Sequence, residues 1–303
     1  MVTDDEAGTR LDKFLAASGR LGSRARALAA LGRGKVYLNS SEATPADASC
    51  RVAAGDRVRL WMDRPGSARP GPRIGEVRGL TIVYEDDVLL VVDKPPGLLS
   101  VPLERNPGIP SIYDRLEARF RSHGRRRPLV VHRIDQDTSG LVVFAKDAAV
   151  QAALHGQFRK RLTERLYDAV VYGRPEPAQG VWRDVLAWNS RALIQEQARP
   201  GQPGAQEAVC EDRTVEALRG ATVLEIGLRT GRRNQIRIQA ALRGHPLVGE
   251  KRYVYEAPVQ PIRFPRTALH ARRLAFRHPV EDRLVSFEAP RPADLAELIA
   301  RLK

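Results

Sequence analysis

One stretch of the chain decides how its largest part folds. A polar nonapeptide runs directly into an apolar pentapeptide, His132-Arg133-Ile134-Asp135-Gln136-Asp137-Thr138-Ser139-Gly140 followed by Leu141-Val142-Val143-Phe144-Ala145. The pentapeptide is β-branched and aromatic and lies between Gly140 and Lys146, which is typical of a buried strand. The nonapeptide is then a turn held by that strand, and rigidly held loops often carry functional residues. On composition alone the commoner interpretation is ordinary turn chemistry, with His132 a hydrogen-bonded core histidine.

Length and charge limit what the whole chain can do. It has 303 residues and a formal net charge of +14, with an isoelectric point near 10.4. This length is sufficient for one large domain and a small one. The positive charge favours a polyanionic partner or an acidic surface, although charge alone also promotes solubility. Arginine predominates among the basic residues, and its planar fork suits phosphates and stacked bases better than lysine does.

The sequence also predicts a compartment. Cys50 and Cys210 stand far apart and outside any Cys-x-x-Cys pattern, so we expect neither a disulfide nor a zinc site. The acidic N-terminal residues 1–6 do not form the apolar core of a signal peptide. No run of about eighteen apolar residues is present to form a conventional membrane span. We therefore expect a soluble cytoplasmic protein that does not enter membranes.

Composition divides the chain into three parts. Residues 9–61 predict a compact unit with a helix around Phe14, a second helix capped by Ser23, and short strands. Residues 62–79 are rich in proline, glycine and arginine and predict a linker. Residues 80–303 predict the large domain, which opens with a β-hairpin formed by two apolar runs around an acidic turn. The predicted fold class is α+β.

The nonapeptide, the apolar strand and the Ala145-Lys146 pair together resemble the signature of the RluA-type pseudouridine synthases. These enzymes isomerise uridine within RNA and replace its nitrogen–carbon glycosidic bond with a carbon–carbon bond. The resemblance implies that Asp135 is the catalytic residue. It also implies a mixed, mostly antiparallel sheet flanked by helices, with the site in a central cleft.

Further motifs extend the resemblance over roughly residues 80–290. The segment 93–97 resembles the family's Lys-Pro-x-Gly turn, which we interpret as structural. A basic residue, a spacer and Tyr167 entering a strand resemble the second motif, although Arg165 replaces the usual lysine. Residues 230–237 resemble a Thr-Gly-Arg-x-His-Gln-Ile-Arg motif in which Asn234 replaces the histidine. Downstream, Glu250 stands where aspartate is more familiar.

The resemblance implies a role for each residue in the isomerisation. The target nucleotide leaves its stack, which costs roughly a few kcal/mol, and Arg133 fills the vacated space. Tyr167 stacks on the extruded base, a contact worth about 1–3 kcal/mol, and Ile236 helps to hold the detached uracil. Arg237 keeps Asp135 charged where desolvation alone would raise the pKa of that carboxyl.

The sequence does not choose among three routes for the carboxylate of Asp135. It could attack carbon 1′ of the ribose, add to carbon 6 of the uracil, or remove the 2′ proton of the sugar to form a glycal. None of these routes requires a metal or another cofactor, and we expect none.

Two basic segments are candidates for RNA contact. The N-terminal unit resembles the small RNA-binding domain first recognised in a ribosomal small-subunit protein, the alpha-L motif, although Asn39-Ser40 replaces its usual Asn-Gly. Within it Arg24 and Arg26 would grip phosphates without selecting a base. A run just before the nonapeptide would contact phosphate beside the site, namely Arg125, Arg126 and Arg127. Solvated surface arginines are the alternative for both segments.

We therefore expect a monomeric enzyme that acts on structured RNA, with ribosomal RNA favoured over transfer RNA. One alternative is a catalytically inactive RNA-binding or ribosome-assembly protein with the same fold, which the departures at Arg165 and Asn234 favour. A weaker alternative is a hydrolase that pairs Asp135 with Asp137.

Overall fold

The computed structural model describes residues 1–62, 75–76, 79–103, 108–122, 127–255 and 260–303. The expected linker at 62–79 falls mostly outside these ranges, so the domain boundaries stay predictions. Within the described ranges, no helix is both long and apolar enough to cross a membrane.

Residues 1–62 form a small unit with its own antiparallel sheet, in the order β2-β1-β3. Its strands and helices are β1 (Val36–Leu38), β2 (Ser41–Glu42), β3 (Val58–Leu60), α1 (Leu11–Leu15) and α2 (Arg24–Gly32). Ser23 caps α2 by accepting the backbone N–H of Arg26 at 3.2 Å, which confirms the predicted cap. Two faces of α2 are used, because Ala27 packs inside the unit whereas Ala25 and Ala29 pack against the large domain.

Twelve described strands form the large sheet. They are β4 (Gly75–Glu76), β5 (Thr81–Glu85), β6 (Leu89–Lys94), β7 (Leu129–Val130), β8 (Ser139–Ala145), β9 (Glu164–Tyr172), β10 (Gln179–Asn189), β11 (Ile194–Gln197), β12 (Gln206–Leu218), β13 (Ala221–Leu228), β14 (Leu269–Arg277) and β15 (Leu284–Glu288). The main order is β11-β10-β12-β13-β9-β14-β8-β6-β5-β4, while β15 pairs with β14 and β7 pairs with β8.

The continuous apolar runs of β6 and β8 are explained by burial of both sheet faces. Alternate residues of each strand belong to two different hydrophobic clusters, with Leu141 and Val143 on one side and Val142 and Phe144 on the other. Such strands lose the polar alternation that a half-exposed strand shows. The expected hairpin of β5 and β6 and the strand after the nonapeptide are both present.

Helices cover both faces, as expected for this fold class. They are α3 (Ile112–Ser122), α4 (Ala148–Arg159), α5 (Gln235–Leu242) and α6 (Ala293–Leu302). Leu116 of α3 and Ile236 of α5 join one cluster, whereas Leu154 of α4 joins the cluster on the opposite face. The α+β prediction with a mixed, mostly antiparallel sheet is confirmed.

The close approach of two neighbouring strands sets the position of the nonapeptide. The strands β8 and β14 run parallel through the pairs Ser139–His270 and Gly140–Ala271, whereas the other recorded strand pairs of the sheet are antiparallel. Gly140 has φ +111°, and a Cβ there would lie 2.2 Å from the carbonyl oxygen of Ala271. Only glycine fits, because both the backbone angle and the space exclude a side chain. The loop before β8 is thereby brought against β14.

Candidate active site

A buried lysine forms a hydrogen bond with the backbone of the nonapeptide. The side chain of Lys94 is inaccessible to solvent, and its Nζ donates to the backbone carbonyls of Pro95 at 3.0 Å, Leu98 at 2.7 Å and Gln136 at 2.6 Å. These acceptors use all three donors of an ammonium group. Burial lowers the pKa of Lys94 to about 7, against the nearby charges of Asp137 and Asp135 that raise it. The Lys-Pro-x-Gly turn is therefore a support for the loop.

An arginine holds the next residue of the loop. Arg266 is buried and donates from Nη1 to the backbone carbonyl of Asp137 at 3.0 Å. The same guanidinium pairs with Asp294 at the start of α6 through two bonds of 2.7 and 2.9 Å. The side chain of Asp137 is exposed, so the loop is fixed through its backbone and a hydrolytic pairing with Asp135 gains no support.

A cavity of about 470 Å³ opens above this loop. The N-terminal end of α5, the strand β9 and the segment after β13 supply its other walls. Five predicted site residues line it together, namely Arg133, Asp135, Tyr167, Ile236 and Arg237. They are separated by up to 104 positions in sequence and meet only through the sheet order.

Two donors meet on one oxygen of Asp135. Its Oδ2 accepts a hydrogen bond from Asn234 Nδ2 at 2.6 Å and another from Arg237 Nη1 at 3.3 Å. Its Oδ1 accepts no hydrogen bond from any residue that the structure describes. The side chain is 26% exposed, so solvent or a substrate can reach the carboxylate through the cavity. The motifs implied a desolvated carboxylate, whereas the open cavity leaves Asp135 accessible to water in the free protein.

Arg237 has a second and closer carboxylate partner. Its Nε and Nη2 donate to the two oxygens of Glu250 at 2.7 Å each, and the Glu250 side chain is fully buried. Burial would lower the pKa of Arg237, but hydrogen bonds and charges from Glu250 and then Asp135 raise it above its usual value. Sequence analysis assigned Arg237 to Asp135 and treated Glu250 only as a departure. The fork instead binds Glu250 and reaches Asp135 with its remaining nitrogen.

Tyr167 forms an apolar wall beside the carboxylate. Its ring is 7% exposed, and burial raises the pKa of its hydroxyl. Next to it, Arg165 donates to the carbonyls of Leu228 at 3.2 Å and Thr230 at 3.3 Å. The Nε of Arg165 is buried and has no hydrogen-bond partner in the described part of the chain. Arg165 therefore keeps a positive charge at the cavity wall while it braces the segment after β13.

His132 is a structural residue. Its Nε2 accepts the backbone N–H of Val143 at 3.1 Å, and its ring stacks on Phe158 with centroids 4.8 Å apart. Burial, helped by the charge of Arg165, lowers the pKa of His132 to about 3, so the ring is neutral at physiological pH. The geometry supports the hydrogen-bonded histidine that ordinary turn chemistry predicts.

Asn234 and Tyr253 form a connected pair behind Asp135. Asn234 precedes α5 with φ 53° and ψ 24°, a left-handed conformation that asparagine tolerates. The hydroxyl of the buried Tyr253 donates to Asn234 Oδ1 at 3.3 Å and accepts the backbone N–H of Gln195 at 2.9 Å. Sequence analysis missed Tyr253, and no local pattern pointed to it.

The predicted RNA contacts lie at the surface where the structure describes them. Arg133 is exposed at the cavity mouth and has no recorded partner among the described residues. Arg24 pairs with Asp12 at 2.5 Å and remains mostly exposed, and Arg26 and Arg127 are also exposed. Arg125 and Arg126 lie outside the described residues.

One cluster has the composition of a metal site. Potential ligand atoms of Asp86, His278 and Glu281 lie within 4.8 Å of one another. However, Nδ1 of His278 accepts the backbone N–H groups of Val280 and Glu281, and Nε2 is 2.8 Å from Asp86. Both ring nitrogens are thus used to hold the turn between β14 and β15, and the cluster does not line the cavity.

Comparison with known proteins identifies the family. A family model described as RNA pseudouridylate synthase matches residues 88–242. The chain is 34% identical over 316 residues to the ribosomal large subunit pseudouridine synthase D of Zymomonas mobilis, covering 99% of this chain and 96% of that protein. The chain belongs to the RluA-type RNA pseudouridine synthases. This synthase is also 33% identical over 308 residues to RNA pseudouridine synthase YlyB of Bacillus subtilis, covering 100% of this chain and 97% of that protein.

The solved structures agree on the fold. The human RNA pseudouridylate synthase domain containing 4 matches with a TM-score of 0.60 at 21% identity, covering 73% of this chain and 92% of that chain. The family model and the Zymomonas mobilis relative make this synthase an enzyme of the isomerase class with RNA as its substrate. Neither the inactive RNA-binding alternative nor the hydrolase alternative is supported by these relatives.

Proposed function

We propose that this synthase isomerises specific uridines of ribosomal RNA and that Asp135 is the catalytic residue. The observation that carries the proposal is a carboxylate with one oxygen held by two donors and the other unbonded, at the wall of a cavity large enough for a nucleotide base. The relative from Zymomonas mobilis is named for the ribosomal large subunit, and this favours ribosomal RNA as the substrate.

The cavity supplies what an in-place isomerisation requires. An extruded uracil would enter beside Tyr167 and Ile236, which are both buried apolar surfaces. Stacking on an aromatic side chain stabilises an unstacked base by about 1–3 kcal/mol. Confinement keeps the detached uracil close while carbon 5 replaces nitrogen 1 at the sugar, and no atom is added or removed overall.

The unbonded oxygen of Asp135 is the reactive atom in each of the three chemical routes. Attack on carbon 1′, addition to carbon 6 and abstraction of the 2′ proton all use an ionised carboxylate. The positive charge of Arg237 lies within hydrogen-bond reach of Oδ2 and faces the carboxylate in all three. The geometry of the free protein is compatible with all three.

The arginines around the cavity are our candidates for RNA contact. Arg133 would enter the space left by the flipped nucleotide, since it is exposed and next to the catalytic loop. Arg233 is exposed and lies between two residues that line the cavity, Arg232 and Asn234, and its guanidinium is 3.8 Å from the ring centroid of Trp188. A guanidinium whose face is stacked keeps its N–H edges available for phosphate. Arg24, Arg26 and Arg127 would add phosphate contacts farther from the cavity, which predicts an RNA-binding affinity that falls steeply as the salt concentration rises.

The decisive experiment compares two isosteric variants on the same loop. Asp135→Asn should lower kcat by about 10³-fold or more, because the reactive carboxylate is lost. Asp137→Asn is the matched control, since that side chain is exposed and the loop is held through its backbone, and it should keep near wild-type activity. Normal pseudouridine formation by Asp135→Asn would refute the assignment.

The substrate is tested by mapping pseudouridine in total RNA from cells with and without this gene. We expect one or a few positions to be lost from ribosomal RNA. Loss confined to transfer RNA would assign the same chemistry to a different substrate and overturn the ribosomal part of the proposal.

A further inference from the structure

We propose that Asn234 is a positioning residue for the isomerisation, which orients Asp135 through a hydrogen-bond chain that begins at the backbone of Gln195 and passes through Tyr253. The inference rests on the proposed catalytic role of Asp135. It assigns a function to an amide at a position where the family motif has histidine.

The two ends of this chain together set the direction of its bonds. The backbone N–H of Gln195 can only donate, and it donates to the Tyr253 oxygen at 2.9 Å. The Tyr253 hydroxyl is then directed to donate to Asn234 Oδ1, 3.3 Å away. The amide nitrogen of Asn234 consequently faces Asp135 Oδ2 at 2.6 Å. A reversed amide would place oxygen against oxygen at that distance, so the two ends of the chain require the same orientation.

This orientation determines which oxygen of the carboxylate is engaged. The amide N–H of Asn234 occupies Oδ2 at 2.6 Å. Arg237 donates to the same oxygen, so both restraints act on Oδ2 and leave Oδ1 for the substrate. A carboxyl held in one rotamer with one oxygen presented is a preorganised reactant, and misplacement by about 1 Å can cost about 100-fold in rate.

Both restraints are anchored in one short segment, residues 250–253. Glu250 holds Arg237 through two bonds, and Tyr253 holds Asn234 through its hydroxyl. The guanidinium of Arg237 also lies 5.4 Å from the centroid of the Tyr253 ring. The segment thus positions both groups that contact Oδ2.

An amide gives this position a property that a histidine would not. Asparagine carries no titratable proton, whereas histidine changes its charge in the range of about pH 5–8. The titratable and charged groups that interact with Asp135 are Lys94, Tyr167, Arg237 and Tyr253. Glu250 lies behind Arg237, and the same cavity is also lined by His132 and by six further arginines, at positions 133, 159, 161, 165, 229 and 232. Among them only the pKa of Lys94, about 7, lies in that range. Lys94 is present in every variant below, so its titration cancels when each kcat is divided by that of the wild type.

The test replaces the amide donor with a titratable group of the same shape. Asn234→Asp keeps a residue that tolerates the left-handed backbone and places a second carboxyl next to Asp135. A pair of adjacent carboxyl groups titrates with two apparent pKa values, and the repulsion between the two negative charges raises the upper one. Below this upper pKa the pair retains one proton. Below that pKa the protonated carboxyl group introduced at position 234 donates a hydrogen bond to Asp135 as the amide does, and kcat should approach the wild-type value. Above it, kcat relative to the wild type should fall by about tenfold for each pH unit.

The matched control is Asn39→Asp in the turn between β1 and β2. Asn39 also has a left-handed backbone, with φ 49°, and also donates to a carboxylate, that of Asp56 at 2.7 Å. It lies outside the cavity, so its kcat relative to the wild type should not change between pH 5.5 and 8.5. A pH-independent ratio for Asn234→Asp as well, whatever its absolute value, would overturn the inference.

A second variant keeps the test valid if Asn234→Asp does not fold. Tyr253→Phe retains the ring but removes the hydroxyl that orients the amide, and kcat should fall by about 3–10-fold with KM unchanged, as expected for one lost hydrogen bond. An unchanged kcat would contradict the proposed chain. Failure of the proposed function can be distinguished from failure of this inference, because only the former would leave the Asp135→Asn variant active.

Discussion

Replacing Glu250 with glutamine tests how much of the site depends on one buried ion pair. Glu250 is inaccessible to solvent and binds Arg237 through two 2.7 Å bonds, while its Oε1 also accepts the backbone N–H groups of Lys251 and Arg252. Glutamine has the same shape, but it removes the charge and turns an NH₂ group towards a donor. Breaking a buried pair in this way costs about 3–5 kcal/mol. Each kcal/mol lowers the Tm of a domain of this size by about 2–4 °C, so we expect a decrease of about 6–20 °C.

The effect should depend on pH in a defined direction. Burial tends to raise the pKa of Glu250, but hydrogen bonds and charge from Arg237 outweigh it and hold the pKa below the ordinary value of 4.5. A carboxyl with a lowered folded-state pKa contributes stability above its unfolded pKa and loses it as the pH falls through the folded value. The difference in Tm between wild type and Glu250→Gln should therefore have its full value at pH 7 and decrease below pH 4.5.

A surface pair in the same protein provides the control. Glu211 accepts three bonds from Arg229 at 2.8, 2.9 and 3.1 Å, but both side chains are at least half exposed. Exposed pairs contribute about 0–1 kcal/mol, so Glu211→Gln should change the Tm by no more than about 4 °C. Calorimetric scans of the three proteins at pH 7 and pH 4 give the comparison. Equal Tm values for the two variants at pH 7 would refute the reasoning from burial.

Three further predictions concern positions away from Oδ2 of Asp135. Gly140→Ala should cost about 3 kcal/mol or more, since φ is +111° and the new Cβ meets a backbone carbonyl at 2.2 Å; urea titration measures the loss. Asp86→Asn should cost about 2–3 kcal/mol at pH 7, because burial raises the Asp86 pKa but hydrogen bonds from His278, Val88 and Leu89, with the charge of His278, together lower it to about 2. This cost should disappear as the pH falls from 3.8 to 2. A maleimide should modify only the exposed Cys50 in the native protein, because burial raises the pKa of the Cys210 thiol, and mass spectrometry should find two adducts after denaturation.

The parts of the fold with strong local patterns were predictable. The β8 run is apolar at every position because both faces of the strand are buried, and a Gly-to-Lys boundary marks its ends. The hairpin of β5 and β6 and the cap at Ser23 follow from equally local signals. The long strands β10 and β12 were not predicted, since each has buried and exposed residues in an irregular order.

The active-site partners show where local reasoning ends. The motifs identified Asp135 and Arg237, yet the closer partner of Arg237 is Glu250. Tyr253 and Arg266 act through contacts to residues 19 and 129 positions away. Such pairs depend on how the sheet brings distant segments together, and no single segment of sequence contains that information.

The two cations beneath the loop that carries Asp135 have an evolutionary consequence. Lys94 and Arg266 hold residues 136 and 137 by their carbonyl oxygens, which every amino acid possesses. Both side chains at these positions are exposed, so mutations there can accumulate without loosening the carboxylate of Asp135 beside them. A saturation library should therefore tolerate broad replacement at 136 and 137, while selection purges changes at the two supporting cations.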